Sequence, residues 1–257
     1  MIQLDSLTFR YANKPPIFQE FNWHVEVGDA WSVIGASGCG KTTLLYLLGG
    51  LLHPSTGRIV VGGQELTGPR PRTGLILQDY GLLPWATLRE NVQLGLRIRR
   101  FYGPDGIHAP REALPVNAKE RVNFWLERLG IEKVAESYPG QVSGGQRQRA
   151  AIARTLVLEP DLLLMDEPFA SLDLPTRESL QELVYDLHGE GRLTMVTVTH
   201  SIEEAAFLGD KILILQNWIN SVPEIIRNSY GGQKVDLSDG GYQQMCAHIR
   251  AELKETV

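Results

Sequence analysis

Apolar residues along the chain follow two periods, and the shorter one, typical of strands, dominates the first part of the sequence. Near the N-terminus they alternate roughly as in a strand, at Ile2, Leu4, Leu7 and Phe9. AWSVIG, at residues 30–35, is an apolar run of strand length, and RIVVGG and TGLILQ resemble it. KTTLLYLLGGL follows the first run and predicts a buried helix that ends at Gly49 or Gly50. A first α/β block therefore closes near Gln78.

The pattern becomes helical between about residues 80 and 159, in TLRENVQLGL, AKERVNFWLERLG and SGGQRQRAAIARTLVL. Buried-strand patterns then return in DLLLMDEP, LTMVTVTH and KILILQ, the first two separated by the helical LPTRESLQELVYDLHGEG. Helices inserted between strands predict an α/β core at 1–79 and 160–216 with a helical subdomain at 80–159. We expect the short tail, 217–257, to pack on this core.

Composition narrows the class of protein. A chain of 257 residues with 43% hydrophobic residues can bury a sizeable core, as one large α/β domain or two small lobes. A formal net charge of −5 argues against a general nucleic-acid binder, although it leaves room for a local basic patch. Cys39 and Cys246 are too few for a disulfide framework, which favours a reducing compartment.

The N-terminal segment carries charge at Asp5 and Arg10, which is unlike a signal peptide. No run of 18 or more apolar residues occurs, so we expect any work at a membrane to depend on a partner.

The sequence GASGCGKTT follows the apolar strand AWSVI and precedes a helix, which is the context of a phosphate-binding loop. Its glycines allow backbone N–H groups to close around a β-phosphate, and Lys41 neutralises charge on the β- and γ-phosphates. Thr42 can place its hydroxyl on Mg²⁺. A chance glycine-rich turn does not explain both the strand before the loop and the helix after it. The predicted nucleotide-binding residues here are Gly35, Ala36, Ser37, Gly38, Cys39, Gly40, Lys41, Thr42 and Thr43.

Two carboxylates end a later buried strand. In LLLMDE, Asp166 is placed to orient Mg²⁺ and Glu167 to polarise an attacking water. Adjacent acids also occur at ordinary solvated strand ends, but the phosphate loop makes that reading the weaker one. His200 ends the next predicted strand, and parallel strands deliver their C-terminal residues to one crevice. A lone histidine there is either a satisfied polar group or a functional one.

A second glycine-rich helix start lies in QVSGGQRQRA. Glycines at the beginning of a helix leave unpaired backbone N–H groups that suit an anion. The four residues concerned are Ser143, Gly144, Gly145 and Gln146. They form either an ordinary helix cap or a loop that acts on a nucleotide held by another molecule.

Together these segments resemble, in family order, six motifs of an ATP-binding cassette (ABC) transporter ATPase. They match the Walker A, Q-loop, signature, Walker B, D-loop and switch histidine motifs at 35–43, Gln78, 143–146, 162–167, 171–173 and His200. The resemblance covers roughly residues 1 to 216. It implies a P-loop NTPase (RecA-like) core with an N-terminal antiparallel β region, an inserted helical subdomain, and hydrolysis of ATP with Mg²⁺.

The same resemblance implies roles for single residues. It places Gln78 and His200 with Glu167 among the catalytic residues, and Gln78 also with Thr42 and Asp166 around the metal. Tyr11 is the aromatic residue expected to stack on adenine, unless it is only a strand-end tyrosine.

In this family two ATPase domains dimerise head to tail, with each ATP between one subunit's phosphate loop and the other's signature helix. Residues 143–146 would then serve a neighbour's γ-phosphate, and Val142, where leucine is usual, casts little doubt on that contact. The implied partners are a second copy of the chain and an integral-membrane permease with a periplasmic or surface substrate-binding protein, and no nucleic acid. The implied location is peripheral, on the cytoplasmic face of the inner membrane.

Leu82, Leu83, Pro84 and Trp85 form an apolar turn after the Q-loop, and they are either buried or exposed for docking on a permease helix. The LLPW sequence resembles importers for nitrate, taurine, alkanesulfonates and thiamine precursors. We interpret 101–116, rich in proline and glycine, as a solvated loop, with a permease-contacting or regulatory element as the alternative. The tail is too short for the regulatory β-domain of some relatives.

Other classes of protein explain less of the sequence. A small-molecule kinase or a GTPase gives no role to SGGQ, and no N/T-K-x-D guanine motif is present. A DNA-repair ABC ATPase needs long heptad arms, and an ABC translation factor needs two cassettes. An exporter or a lipoprotein-release ATPase remains the open alternative to an importer.

Overall fold

The computed structural model describes residues 1–102, 117–190, 193–217, 219–233 and 239–255. Within these ranges two β-sheets form the frame. A four-stranded antiparallel sheet runs in the order β2, β1, β4, β5, with β1 (Ile2–Phe9), β2 (Phe18–Val25), β4 (Thr56–Val61) and β5 (Gln64–Glu65). A six-stranded sheet runs β10, β9, β3, β8, β7, β6, with β3 (Ala30–Gly35), β6 (Thr73–Ile76), β7 (Leu162–Asp166), β8 (Thr194–Val198), β9 (Lys211–Leu215) and β10 (Glu224–Arg227).

The larger sheet is parallel except at β10, which pairs antiparallel with β9. Every residue of β3, β7 and β8 is buried. A parallel sheet that is covered on both faces requires such continuous apolar strands. In a sheet with one face in water, apolar and polar residues would alternate along each strand. Because β8 pairs in parallel with both β3 and β7, the carboxyl ends of these three strands meet at one edge of the sheet.

The antiparallel sheet at the N-terminus confirms the expected β region. Its strand β2, in FQEFNWHV, has no clear strand pattern in the sequence, because its apolar positions do not alternate strictly. Glu20 adopts a positive φ of 51°, and the β1–β2 register shifts beside it. Phe18, Phe21 and Trp23 nevertheless all face the core.

Helices cover both faces of the parallel sheet and form the inserted block. The helices of the first half and of the insertion are α1 (Lys41–Leu48), α2 (Leu88–Tyr102), α3 (Ala118–Arg128) and α4 (Gly144–Leu156). Those of the last part are α5 (Leu174–Glu190), α6 (Ile202–Leu208) and α7 (Gly240–Glu255). In the insertion, α2, α3 and α4 share one apolar core through Val92, Val122 and Ile152. Except for its first two residues, which end α2, the segment 101–116 lies outside the described residues.

The chain after β9 adds one strand to the large sheet and one helix to the layer that covers it. Strand β10 extends the sheet beside β9, and α7 packs against α6. Tyr242, Cys246 and Ile249 of α7 share a cluster with Ile34 and Ile214 of the sheet. Both cysteines of the chain are buried and free. Among the described helices, none is long and apolar enough to cross a bilayer.

Candidate active site

A cavity of about 880 Å³ opens at the carboxyl edge of the parallel sheet, a size common for small-molecule sites. Most of the phosphate loop, residues 37–43, forms its floor, and Glu167 and His200 lie on one side. The other walls come from two loops of the chain, through Tyr11, Lys14, Pro15, Pro16, Ile17, Asn217 and Ile219. Loops at this edge of a parallel sheet are where ligands bind in open α/β folds.

The phosphate loop is packed so closely that two of its positions require glycine. A Cβ on Gly35 would lie 2.5 Å from Leu215 O and 2.7 Å from Cys39 Sγ. Gly40 has a φ of 110°, and its Cβ would lie 2.4 Å from Ile17 Cγ2. α1 begins directly after Gly40, so the loop ends at a helix N-terminus, where backbone N–H groups lack intrahelical partners.

Lys41 holds the loop together from inside. Its side chain is 8% exposed, and Nζ donates to Gly35 O at 2.8 Å and to Ala36 O at 2.9 Å. Gly35 and Ala36 are thus tied to the ammonium group although they do not line the cavity themselves. A buried cation at a helix start makes this floor suited to an anion.

Thr42 and Asp166 bring two oxygen donors together beside the loop. Thr42 Oγ1 donates to Asp166 Oδ1 at 3.3 Å, joining the first turn of α1 to the end of β7. Asp166 is 6% exposed, and burial is the main cause that raises the pKa of its carboxyl, with a smaller contribution from Glu167. A hydroxyl and a carboxylate are ligands that Mg²⁺ accepts, so the residues present fit this ion.

Glu167 follows β7 in a strained conformation. Its φ is 45°, in the left-handed region that side chains other than glycine rarely adopt, and its N–H donates to Val198 O at 2.9 Å. The carboxylate Oε2 lies 2.6 Å from His200 Nδ1. Both side chains line the cavity. The structure therefore brings the predicted water-polarising acid and the predicted switch histidine into direct contact.

Tyr11 lines the same cavity and contacts the end of the phosphate loop. Its hydroxyl is 3.2 Å from Thr43 Oγ1. Its ring packs edge-to-face on the ring of Phe9, with the two ring centroids 5.0 Å apart. Tyr11 is 39% exposed and lines the cavity, so part of it is accessible to a stacking partner.

The second glycine-rich loop lies outside this cavity within the described chain. Ser143 caps α4, accepting from Gln146 N at 3.3 Å, while Gln146 Oε1 accepts from Ser143 N at 3.0 Å. A Cβ on Gly145 would lie 2.5 Å from Thr176 Cγ2, so packing within the chain already requires that glycine. Ser143 is exposed at the start of its helix, and Gly144 is half-buried. The loop forms a helix cap, and it does not line the cavity that the phosphate loop of its own chain forms.

Gln78 also stays outside the cavity lining among the described residues, on an exposed turn after β6. The next residues of this turn are anchored. Arg154 of α4 donates to the carbonyls of Tyr80 and Gly81, and the Tyr80 hydroxyl bonds that of Ser171 in the D-loop. The turn thus links the helical insertion to the segment after Glu167.

The apolar turn after Gln78 is partly open to solvent. Leu82 packs against the core of the inserted helices, whereas Trp85 is 74% exposed. The interpretation of the turn as buried is therefore wrong for Trp85.

Several cavity residues had no recognisable signal in the sequence. Lys14, Pro15, Pro16 and Ile17 precede β2, and Asn217 and Ile219 follow β9. These loops carry no motif, and only the folded sheet brings them to the phosphate loop.

Comparison with known proteins shows which family the chain resembles in sequence and in fold. The family model described as ABC transporter matches residues 18–170. The aliphatic sulfonates import ATP-binding protein of Bacillus thuringiensis subsp. konkukian (strain 97-27) is 36% identical over 231 residues, covering 89% of this chain and 85% of that protein. The nitrate import ATP-binding protein of Synechocystis sp. (strain ATCC 27184 / PCC 6803 / Kazusa) is 38% identical over 202 residues, covering 77% of this chain and 70% of that protein.

Two solved structures share the fold. A dimeric ATP-binding cassette bound to ADP and Pi has a TM-score of 0.74 and 28% identity, covering 88% of this chain and 98% of that one. Another, from Clostridium perfringens and described as part of an ABC transporter complex, has a TM-score of 0.75 and 23% identity, covering 99% of this chain and 97% of that one. Since the family model spans more than half of the sequence and the relatives match most of it, this chain belongs to the ABC transporter family as one of its ATP-hydrolysing subunits.

Proposed function

We propose that the chain is the ATP-hydrolysing subunit of a membrane importer, working as a head-to-tail dimer that closes on two ATPs and drives uptake through a partner permease. The import role is supported by relatives whose names assign them to import of aliphatic sulfonates, nitrate and taurine. One observation supports the head-to-tail dimer. The cavity gathers the phosphate loop, Glu167 and His200, whereas the helix start at 143–146, exposed at Ser143, does not line it.

The chain's own residues can hold Mg-ATP in this cavity. Backbone N–H groups of the phosphate loop and the Lys41 ammonium would bind the phosphates, and Tyr11 would stack on adenine. Thr42 and Asp166, already in contact, would hold Mg²⁺, with Gln78 approaching from its exposed turn. The ion supplies positive charge to the β- and γ-phosphate oxygens.

Glu167 would polarise the attacking water, and His200 would keep its carboxylate in place. The 2.6 Å contact to His200 Nδ1 and the bond from Glu167 N to Val198 O support this, because together they restrain the side chain and the backbone. A base restrained by its neighbours loses less entropy when the water is positioned.

Residues 143–146 would complete the site of a second copy. The N-terminus of α4 carries partial positive charge, and Gly144 and Gly145 add no side chain against a phosphate. The capping box fixes the direction of this helix start. Removal of the γ-phosphate by hydrolysis would take away the group that both copies bind, and the dimer would reopen.

The permease would dock on the helical insertion, beside Trp85. This side chain is 74% exposed on a turn that Arg154 and Tyr80 tie to the D-loop. The subunit would then lie peripherally on the cytoplasmic face of the membrane, with a substrate-binding protein on the other side.

A mixing experiment tests the shared site. Lys41→Ala damages a chain's own phosphate loop, and Ser143→Arg damages the site of its partner by bulk at the helix start. A mixed dimer of the two single variants has one site with both lesions and one intact site, so we expect partial recovery of ATPase activity. The heterodimer of the double variant with wild type has one lesion in each site and should be inactive. Both heterodimers are purified before the assay, because wild-type homodimers in a mixture would be active.

If Ser143 acts within its own chain, the result is reversed: the heterodimer of the two single variants has a lesion in each site, and the heterodimer of the double variant with wild type keeps one intact site. Activity in the second heterodimer and none in the first would refute the head-to-tail arrangement. Absence of ATPase activity and of ATP binding in the wild-type chain would refute the proposed function as a whole.

A further inference from the structure

Asn220 lies five residues beyond the end of β9, outside every motif of the site, yet it contacts the phosphate loop directly. Its side chain is 2% exposed, and Nδ2 donates to Cys39 O at 3.2 Å. The same nitrogen lies 3.3 Å from Ile17 O and 3.4 Å from Gln216 O. Because an amide nitrogen carries two hydrogens, these three carbonyls share two donors.

The amide is held in place from both sides. Asn220 Oδ1 accepts from Gln216 N at 2.8 Å, and the Asn220 backbone bonds Ile17 O and Gln19 N at 2.9 Å each. Asn220 therefore joins the end of β9 and the start of β2. Ile17, on the same bridge, is the residue that a Cβ on Gly40 would meet at 2.4 Å.

The bond to Cys39 O affects the side of the loop that faces the cavity. The peptide between Cys39 and Gly40 is planar and trans, so its C=O and its N–H point in opposite directions. Holding the carbonyl toward Asn220 directs the Gly40 N–H away from Asn220. Gly40 lines the cavity, and glycine adopts positive and negative φ about equally readily. Its φ of 110° therefore has to be held by neighbouring bonds if the N–H is to keep one direction.

We propose that Asn220 is a positioning residue for nucleotide binding, which sets the Cys39–Gly40 peptide so that its N–H is presented to a phosphate. With Asn217 and Ile219, which line the cavity, it makes the segment after β9 a third wall of the site. This inference rests on the proposed function, because it takes ATP as the ligand of the cavity.

The test is Asn220→Asp, which keeps the shape of the side chain and replaces the amide donor by an oxygen. Cys39 O then loses its donor and faces an acceptor. We expect about tenfold weaker binding of methylanthraniloyl-ATP, a fluorescent ATP analogue, as for loss of one buried hydrogen bond. Inorganic tripolyphosphate should displace the analogue from wild type more readily than adenosine does, because the N–H of the Cys39–Gly40 peptide binds phosphate and not the nucleoside.

The matched control is Asn228→Asp. Asn228 is also buried, and its Nδ2 donates to two carbonyls, Ala206 O and Gly209 O, at 2.6 Å each, away from the cavity. This variant should lose melting temperature as Asn220→Asp does, but keep wild-type affinity for the analogue. If Asn220→Asp does not fold, Asn220→Ser is measured instead, since its shorter hydroxyl cannot reach Cys39 O and the same loss is expected.

Unchanged affinity in the Asn220 variant, or an equal loss in the Asn228 control, would overturn the positioning role. With wild type binding the analogue, either result leaves the proposed function intact. A wild-type chain that does not bind the analogue would overturn both.

Discussion

At the scale of single residues, the site depends on side chains and peptides held in conformations that they would not adopt alone. Glu167 combines a left-handed backbone with the contact to His200, and Lys41 is buried against two carbonyls of its own loop. Such conformations persist when neighbouring bonds hold them in place. The bond from Glu167 N to Val198 O does this for Glu167. A substitution that keeps the shape of a side chain but removes one chemical property should therefore change activity without disturbing the fold.

Glu167→Gln is such a change. We expect the variant to bind ATP, to lose turnover by about a hundredfold or more, and to accumulate as an ATP-bound dimer, since the amide keeps the size of the side chain but is no base. Gel filtration with ATP and Mg²⁺, together with a phosphate-release assay, measures both effects. Wild-type turnover in the variant would refute the role of Glu167.

At the scale of elements, the turn after β6 connects the helical insertion to the nucleotide site. Arg154 of α4 holds the carbonyls of this turn, and Tyr80 bonds Ser171 just before α5. The exposed ring of Trp85 ends the same turn. A partner that contacts Trp85 is thus joined by a short chain of bonds to the segment after Glu167.

Trp85→Ala tests this surface. Since the side chain is 74% exposed, we expect the melting temperature and the ATP affinity of the isolated chain to stay near wild type. Association with the permease should weaken about thirtyfold, the effect of losing an aromatic anchor worth about 2 kcal/mol. Co-purification from detergent extracts, with mass spectrometry to identify the permease, measures the association.

The control for Trp85 is Phe124→Ala, which removes an aromatic side chain, 51% exposed, from α3. It should leave permease association unchanged. A large fall in melting temperature for Trp85→Ala, or equal losses of association in both variants, would contradict docking through Trp85.

At the scale of the whole molecule, three apolar clusters stabilise the fold. One joins the helical insertion to the parallel sheet, and the other two pack on the sheets. Glu204 is a buried acid close to Glu167 of the site. Glu204 of α6 is 5% exposed, and its Oε1 has no hydrogen-bond partner among the described residues. Burial, opposed by Thr199 and Arg177 and reinforced by Glu167, raises the pKa of Glu204 from 4.5 to about 7.

This raised pKa makes the stability of the whole chain depend on pH. Between pH 4.5 and about 7 the folded protein keeps the proton on Glu204 that the unfolded chain releases. The free energy of unfolding should therefore fall as the pH rises through this window, by about 3 kcal/mol from this residue alone. Glu204→Gln removes the ionisation, so it should match wild type near pH 4.5 and be more stable by about that amount at pH 8.

Urea unfolding at several pH values measures the difference between the two proteins. Glu178→Gln, at an exposed position of α5, is the control and should give no pH-dependent difference from wild type. A constant difference between Glu204→Gln and wild type across the window would contradict the assignment to Glu204.

Much of the fold and of the candidate site followed from local sequence patterns. The apolar runs at 30–35 and 162–166 predicted parallel strands because a strand buried on both faces needs no alternation. The phosphate loop was recognisable because Gly35, Gly40 and Lys41 satisfy constraints within nine residues of chain. The strand β2 was missed since Glu20 interrupts its alternation, and the helix α7 was missed although its apolar residues recur at helical spacing.

The sequence by itself determined the order of the core strands and of the inserted helices, and with it the family and the residues of the phosphate loop and of the strand ends. Only the tertiary structure decided which distant segments meet. It brought Asn220 to Cys39, Ile17 to Gly40 and Tyr80 to Ser171, and it left Trp85 in solvent. The physical reason is that periodicity and loop spacing are constraints between neighbours in the chain. Hydrogen bonds between remote residues depend instead on strand register and loop path, which are set when the whole sheet packs.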